Sequence, residues 1–377
     1  MTDRLLLGSG PSPVPRQVLG ALAQPTLGHL DPVFGEVMDS CAALLRRVFG
    51  TQNPVTLPLS ATGSGGMQTM VDALVRPGDV VVVGVNGLFG ERMADALGRV
   101  GAEVVRVEGE WGRALPGDRV AEALPDELAA AFLVHAETST GALNDPGGLG
   151  AAVRERGGLM LLDCVTSLGG VPVRVDDWQV DAAFSGSQKC LNCPPGLAPF
   201  TAGERALERR TGRSWYFDLD AYVDFWRPGG GGARVYHHTA PTNMIVALRE
   251  ALELVLDEAD AEREARHRRA HLALAAALDV LGWRRLVPEA EAAWPLLSVL
   301  VPDDVDEAVL RRALLLEDSI EVSGGLGPLA GRVWRIGVMG AGARPEPQER
   351  FITVLTRHVG GDERAALDAL HAGWGGA

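Results

Sequence analysis

Leu159-Met160-Leu161-Leu162-Asp163 is an unbroken apolar run that ends on a carboxylate, and Ala182-Ala183-Phe184-Ser185-Gly186-Ser187-Gln188-Lys189 is a second that leads to a lysine. Runs this short, apolar at every position and not at alternate ones, fit strands buried on both faces of a parallel sheet. Two others precede them: Val80-Val81-Val82-Val83, after the turn signal Pro77-Gly78-Asp79, and Ala131-Phe132-Leu133-Val134. Amphipathic stretches between the runs, 90–100 and 149–156 among them, have the length of crossover helices. The alternation predicts an open α/β fold, in which ligands lie beyond the carboxyl ends of the strands. Asp163 and Lys189 both fall at such ends.

A glycine-rich break, Pro228-Gly229-Gly230-Gly231-Gly232, interrupts the rhythm. A long helical region follows over 243–281, bent or broken near 258–261, and then Pro295-Leu296-Leu297-Ser298-Val299-Leu300-Val301-Pro302, a helix over 305–316, Val333-Trp334-Arg335-Ile336-Gly337-Val338 and a last helix over 346–358. This tail reads as a smaller α+β domain. The expected division is an N-terminal arm over 1–20, a large domain over 21–258 and a small C-terminal domain over 259–377.

The 377 residues are enough for two domains, and 46% hydrophobic with 22% charged residues is ordinary for a globular chain. A net charge of −14 argues against nucleic acid or an anionic membrane as partner. The basic run Arg263-Glu264-Ala265-Arg266-His267-Arg268-Arg269 mixes acids with bases and reads as a solvated helix face. No apolar run reaches the roughly 18 residues of a membrane span, and neither terminus carries a targeting pattern. Four cysteines, at 41, 164, 190 and 193, are too few for a disulfide framework in a chain of this length. The expected compartment is the cytoplasm.

Lys189 is the sole lysine among 35 lysines and arginines. Lysine offers what arginine does not: a primary amine that can lose its proton and attack a carbonyl. Two other groups give the count a meaning. Ser60-Ala61-Thr62-Gly63-Ser64-Gly65-Gly66-Met67 opens a helical stretch, where free N–H groups and the positive end of the macrodipole suit an anion. Capping by Thr62 or Ser64 accounts for that pattern equally well, and it is neither a Walker loop nor a dinucleotide fingerprint. Asp163, closing a buried strand, needs a cation or donors beside it; a protonated heterocyclic nitrogen is one such cation, an N-cap or ion pair the alternative. An anion site, a strand-end aspartate and a lysine 26 residues later are what a pyridoxal 5′-phosphate (PLP) enzyme requires. The lysine holds the aldehyde as a Schiff base, the aspartate keeps the pyridine nitrogen protonated, and the helix start holds the phosphate.

At this point the chain resembles the class V aminotransferases of PLP fold type I, and within them the alanine–glyoxylate and serine–pyruvate/glyoxylate branch. The resemblance runs from Gly8-Ser9-Gly10-Pro11-Ser12 to about Leu355. It is carried by Asn53-Pro54-Val55-Thr56-Leu57, Gly84-Val85-Asn86-Gly87-Leu88-Phe89-Gly90, His135-Ala136-Glu137-Thr138-Ser139-Thr140-Gly141, the two segments around Asp163 and Lys189, Tyr236-His237-His238-Thr239 and Gly324-Gly325-Leu326-Gly327-Pro328. The resemblance implies a large domain with a mostly parallel seven-stranded sheet and a smaller α+β domain. It implies Lys189 as the covalent anchor and then the acid and base of the proton shift, with Asp163 on the pyridinium nitrogen. Thr62, Gly63 and Ser64 would take the phosphate, with Gln188 beside it. Phe89 would stack on one ring face, where the branch carries tryptophan, and Val165 would cover the other. Thr138 would bond the ring hydroxyl. Tyr236 and Thr239 would reach the phosphate of a second subunit, making the site depend on a homodimer. Arg335 would clamp the substrate carboxylate, and Ser9 and Gly10 would close over the substrate.

The implied reaction is ping-pong transfer of an amino group from alanine or serine to glyoxylate or pyruvate. A related aminotransferase acting on a phosphonate or pyridoxamine, a PLP-dependent lyase, and at a distance a non-catalytic protein of the same fold are the alternatives. A desulfurase would need a cysteine loop in the C-terminal half, and no cysteine follows Cys193. Cys190 and Cys193 have the spacing of half a zinc ribbon, but no second pair accompanies them, so structural thiols and no metal are expected. His237 and His238 are expected to position Tyr236, His135 to pack at its strand end, and His29 either to cap the following helix or to line the substrate entrance.

Overall fold

The computed structural model describes residues 4–226 and 234–375; the glycine-rich break at 228–232 and the extreme termini lie outside the described residues. Seven strands form one sheet in the order Val55–Leu59, Ala198–Ala202, Ala182–Phe184, Leu159–Asp163, Ala130–Val134, Val80–Val85, Glu103–Glu108. Ala198–Ala202 runs antiparallel to both neighbours, and the remaining contacts are parallel. Every residue of Ala130–Val134 and Leu159–Asp163 is buried, which explains their unbroken apolar character. The edge strand Glu103–Glu108 is charged and largely exposed, so it lacks that signature and its edge is protected from pairing.

A second sheet has the order Leu5–Leu7, Ile320–Gly324, Val333–Gly337, Leu296–Leu300, Arg284–Arg285. Leu5–Leu7 lies parallel to Ile320–Gly324, so the chain's first described residues are a strand of this sheet before they run on toward Lys189. Each sheet has its own apolar cluster. One packs the helices Pro32–Phe49, Gly63–Leu74 and Thr242–Asp257 around the large sheet; the other packs Asp260–Val280 and Pro345–Val359 on the small one. In the second, Trp283 and Trp334 meet at 4.7 Å between ring centroids, each burial worth about 4–6 kcal/mol before entropy is counted.

Two expectations are corrected. The helix ending at Val359 is not the last: Gly360 and Gly361, both at positive φ, turn the chain into a further helix, Glu363–Gly375, which packs along Asp260–Val280. The basic run 263–269 is not a solvated face throughout, since Arg263 and His267 are buried. Arg263 donates to Val255 O and Glu258 O and so caps the preceding helix, while Arg266 bonds Gly340 O and pairs with Glu258. The break between the two helices therefore falls at Glu258–Ala259, where the sequence places it.

Candidate active site

Lys189 sits just beyond Ala182–Phe184, 8% exposed, and its Nζ donates to the backbone oxygen of Ser9. Burial, reinforced by the nearby Arg335, draws its pKa down to about 8, while Asp163 pulls the other way. An amine so placed is neutral far more often than a solvated lysine. Gly10, the next residue of the arm, has φ +110°, and a β-carbon there would stand 2.8 Å from both Nζ and Cδ of Lys189. Both the backbone and the contact demand glycine at this point.

Asp163 ends its strand with its carboxylate buried, and Oδ1 accepts from Val165 N at 2.7 Å. Burial pushes its pKa up to about 7; the Val165 bond lowers it, and Glu137 nearby raises it further. Glu137 was given no role by the sequence. Fully buried, it accepts from Phe89 N at 3.2 Å, Gly90 N at 3.3 Å and Ser139 N at 3.0 Å, so it closes the N-terminus of the helix Leu88–Arg99 and fixes Phe89. Burial nevertheless raises its pKa. Arg92 lies over the Phe89 ring, 5.0 Å from its centroid.

Arg335, on Val333–Gly337, donates through Nε to Gly324 O at 2.9 Å and through Nη1 to Thr138 O at 3.0 Å. It is 6% exposed and has no carboxylate within ion-pair distance among the described residues, and burial draws its pKa down to about 10. Thr138 also bonds Thr166 through their hydroxyls. Ser9 and Ser323 meet close by, with Ser9 N to Ser323 Oγ at 3.0 Å.

Thr62 occupies the N-cap position of Gly63–Leu74, yet its side chain makes no capping bond, so its hydroxyl and that of Ser64 are left at an open helix start. The preceding residue pair is anchored at Ser60. Its N–H donates to Tyr222 Oη at 3.3 Å, its carbonyl accepts from Tyr216 Oη at 3.0 Å, and its hydroxyl bonds His238 Nε2 at 2.6 Å. His238 and His237 therefore hold Ser60 and Tyr216 O, where the sequence had them positioning Tyr236. Tyr236 instead rests against His29, ring centroids 5.1 Å apart, and its hydroxyl reaches Thr239 at 3.4 Å. His29 does not cap the following helix; Asp31 does, accepting from Val33 N.

These residues fit pyridoxal phosphate. Thr62 makes no side-chain cap at the helix start, Asp163 has one backbone donor and no cation bonded to it, and a β-carbon on Gly63 would close to 3.3 Å on Val165 Cγ2. An amine, a carboxylate and an open helix N-terminus are thus left wanting the three polar groups that the cofactor carries.

The sequence model of the family described as aminotransferase class-V matches residues 5–328. The chain belongs to the class-V aminotransferases. It is a PLP-dependent transaminase of fold type I. This aminotransferase is 34% identical to the (S)-ureidoglycine–glyoxylate transaminase of Bacillus subtilis, over 97% of this chain and 95% of that one. It is 33% identical to an alanine–glyoxylate aminotransferase of Drosophila melanogaster, over 95% and 92%. The crystal structure of an alanine–glyoxylate aminotransferase from Nostoc sp. superposes with a TM-score of 0.91 at 44% identity, covering 95% of each chain. No helix among the described residues is long and apolar enough to cross a membrane.

The remaining candidates of the aminotransferase are buried and quiet. His135 packs edge-on against Trp178 at 5.1 Å, and burial draws its pKa down to about 4. Cys190 and Cys193 are free and buried, their thiols pushed up to about 12 by desolvation. Glu137, Thr166 and Ser60 escaped sequence reasoning because each acts through a partner distant along the chain. A carboxylate three residues past the apolar run Ala130–Val134 was the one signal available, at Glu137.

Proposed function

We propose that this chain transfers an amino group from a small amino acid, alanine or serine, to glyoxylate or pyruvate in a ping-pong cycle, as a homodimer in the cytoplasm. Arg335 carries the proposal: a buried guanidinium with no ion-paired carboxylate among the described residues is suited to one substrate carboxylate. Glyoxylate stands first as acceptor, because the relatives' names share it.

The cofactor, when bound, supplies an aldehyde that takes up amino groups and a ring that withdraws electrons from the substrate's Cα–H bond. Lys189 Nζ would anchor it, and as a free amine would accept the substrate's Cα proton, a task suited to an amine whose pKa lies near 8. Asp163 would hold a proton on the ring nitrogen, and Thr138 would bond the ring hydroxyl. Phe89 and Val165 would flank the ring. Thr62, Gly63, Ser64 and Gln188 would take the phosphate. Arg335 orients the substrate through its carboxylate, and Ser9 and Gly10 exclude water above it.

Tyr236 and Thr239 serve the second subunit's phosphate in this reading. Its support is an exposed apolar patch: Tyr236, Val235, Trp215, Leu30 and Val33 are each between 53% and 71% exposed. The proposed boundary at 258–259 is supported by the two apolar clusters, which part between Val255 and Ala270, with Leu7 of the arm joining the second.

A donor panel against glyoxylate and pyruvate tests the substrate reading, with (S)-ureidoglycine included because a relative is named for it. Alanine or serine with glyoxylate should give the highest kcat/KM, with parallel double-reciprocal lines. A preference for aspartate or glutamate, or release of product without an acceptor, overturns it.

A further inference from the structure

The structure assigns Asn192 the part of a positioning residue for Lys189, acting through the N-terminal arm. The assignment rests on the role proposed above for Lys189. Asn192 lies three residues after the lysine, 5% exposed, at φ +52°, a conformation that asparagine tolerates better than most residues. Its own N–H turns back onto Lys189 O at 3.1 Å.

One carboxamide joins three segments that are far apart in sequence. Nδ2 donates to Ser12 Oγ at 2.9 Å and Pro13 O at 3.0 Å, with Met339 O at 3.4 Å, and Oδ1 accepts from Ala341 N at 2.6 Å. The orientation is forced, because a backbone N–H faces one end and backbone carbonyls the other. From Ser12 the contacts return to the lysine: its hydroxyl donates to Lys189 O at 2.6 Å, and its N–H to Gln188 O at 2.9 Å. Three residues earlier on the same arm, Ser9 O accepts the Lys189 amine. Asn192 thus fixes the lysine at its backbone and, through the arm, at its amine.

The third segment belongs to the small sheet's side. Gly340, at φ +52°, approaches so closely that a β-carbon there would overlap Asn192 Oδ1. His267 Nε2 accepts from Gly340 N at 2.8 Å, and Arg266 donates to Gly340 O at 2.7 Å. The turn that Asn192 meets is therefore itself held in place, and a buried, fully paired amide between fixed partners is costly to disturb.

The test uses the full-length enzyme with Asn192→Ala, Ser12→Ala and the double variant. Three quantities are read: the rate at which visible absorbance appears when PLP is added to cofactor-free protein, the pH midpoint of that absorbance, and kcat and KM for alanine. Attachment should slow about tenfold or more in Asn192→Ala, the midpoint should move, and kcat should fall with KM nearly constant. Ser12→Ala should show a smaller loss in the same direction, and the double variant should lose no more than Asn192→Ala alone. Wild-type attachment and midpoint in both single variants, with only a lower melting temperature, overturn the assignment, as do additive losses in the double variant. Should Asn192→Ala fail to fold, Ser12→Ala carries the test alone. Lys189→Arg separates the two readings: it must abolish attachment if Lys189 is the anchor, whatever Asn192 does.

Discussion

Replacing Arg335 with methionine should cut kcat/KM at least about a hundredfold while leaving the fold comparably stable. Holding a guanidinium charged where burial draws its pKa to about 10, from 12.5, costs on the order of 3 kcal/mol. Methionine relieves that cost and keeps much of the packing volume. It also abandons the bonds to Gly324 O and Thr138 O, each charge-assisted and worth about 1.5–3 kcal/mol. The two effects largely offset and leave the substrate-free protein within about 3 kcal/mol of wild type. Turnover has no such offset. Two charge-assisted bonds to a carboxylate are worth about 3–6 kcal/mol together, a factor of about 10² to 10⁴ in kcat/KM. Because the carboxylate is held before and during the reaction, most of the loss should appear in KM. Arg335→Lys, which keeps the charge without the fork, should fall between. The assay is steady-state kinetics with alanine and glyoxylate beside thermal melts of both variants. An Arg335→Met enzyme within threefold of wild type in kcat/KM would refute the carboxylate clamp. A melt showing several kcal/mol of destabilisation would refute the claim that the empty clamp is a burden on the fold.

Removing the cofactor should destabilise the protein most between about pH 7 and 8. Asp163, raised from 3.8 to about 7, costs stability as pH rises through its folded value; Lys189, lowered from 10.5 to about 8, costs stability as pH falls through that range. Both costs coincide near neutrality and are relieved when the cofactor is bound, so the melting gap between loaded and cofactor-free protein should peak there; a gap independent of pH from 5 to 10 refutes the pairing. His238→Ala, which frees the Ser60 hydroxyl beside the anion loop, should weaken PLP binding about 5- to 20-fold by absorbance titration, the equivalent of about 1–2 kcal/mol, with kcat at saturating cofactor little changed. An unaltered PLP Kd removes Ser60 from the phosphate site's support.

The interior of the large sheet was legible because strands buried on both faces must be apolar at every position. Leu159–Asp163 and Ala130–Val134 show this directly. Glu103–Glu108 was not, since a solvated edge carries no such constraint. Asp163 and Lys189 stood out because each places a costly group at the end of an apolar run. Asn192 and Glu137 did not, because their roles depend on backbone groups of other segments, Ala341 and Gly90, and Ser60 did not, because it is its own N–H and carbonyl that meet the hydroxyls of Tyr222 and Tyr216. Hydrogen bonds to backbone leave no residue pattern, since every residue type offers the same partner. The buried Arg263 is the converse case: a charged run looks solvated until the carbonyls at the end of the preceding helix are seen to need it.

The charges at the site explain why one fold holds so many groups short of partners. Asp163, Lys189, Arg335 and Glu137 are all buried, and each perturbs at least one of the others. Arg335 helps to keep Lys189 neutral, and Glu137 helps to keep Arg335 charged. Glu137 can remain an acceptor in this setting because backbone N–H groups at a helix start compensate it, so it needs no cation. Had it taken Arg335 as an ion-pair partner, the guanidinium would be satisfied and a substrate carboxylate would have to compete for it. By satisfying one acid with backbone donors, the fold leaves its buried arginine without a competing carboxylate, as the proposed clamp requires. A substitution at Glu137 would therefore act at a distance, on Phe89 through the helix start and on Arg335 through the field.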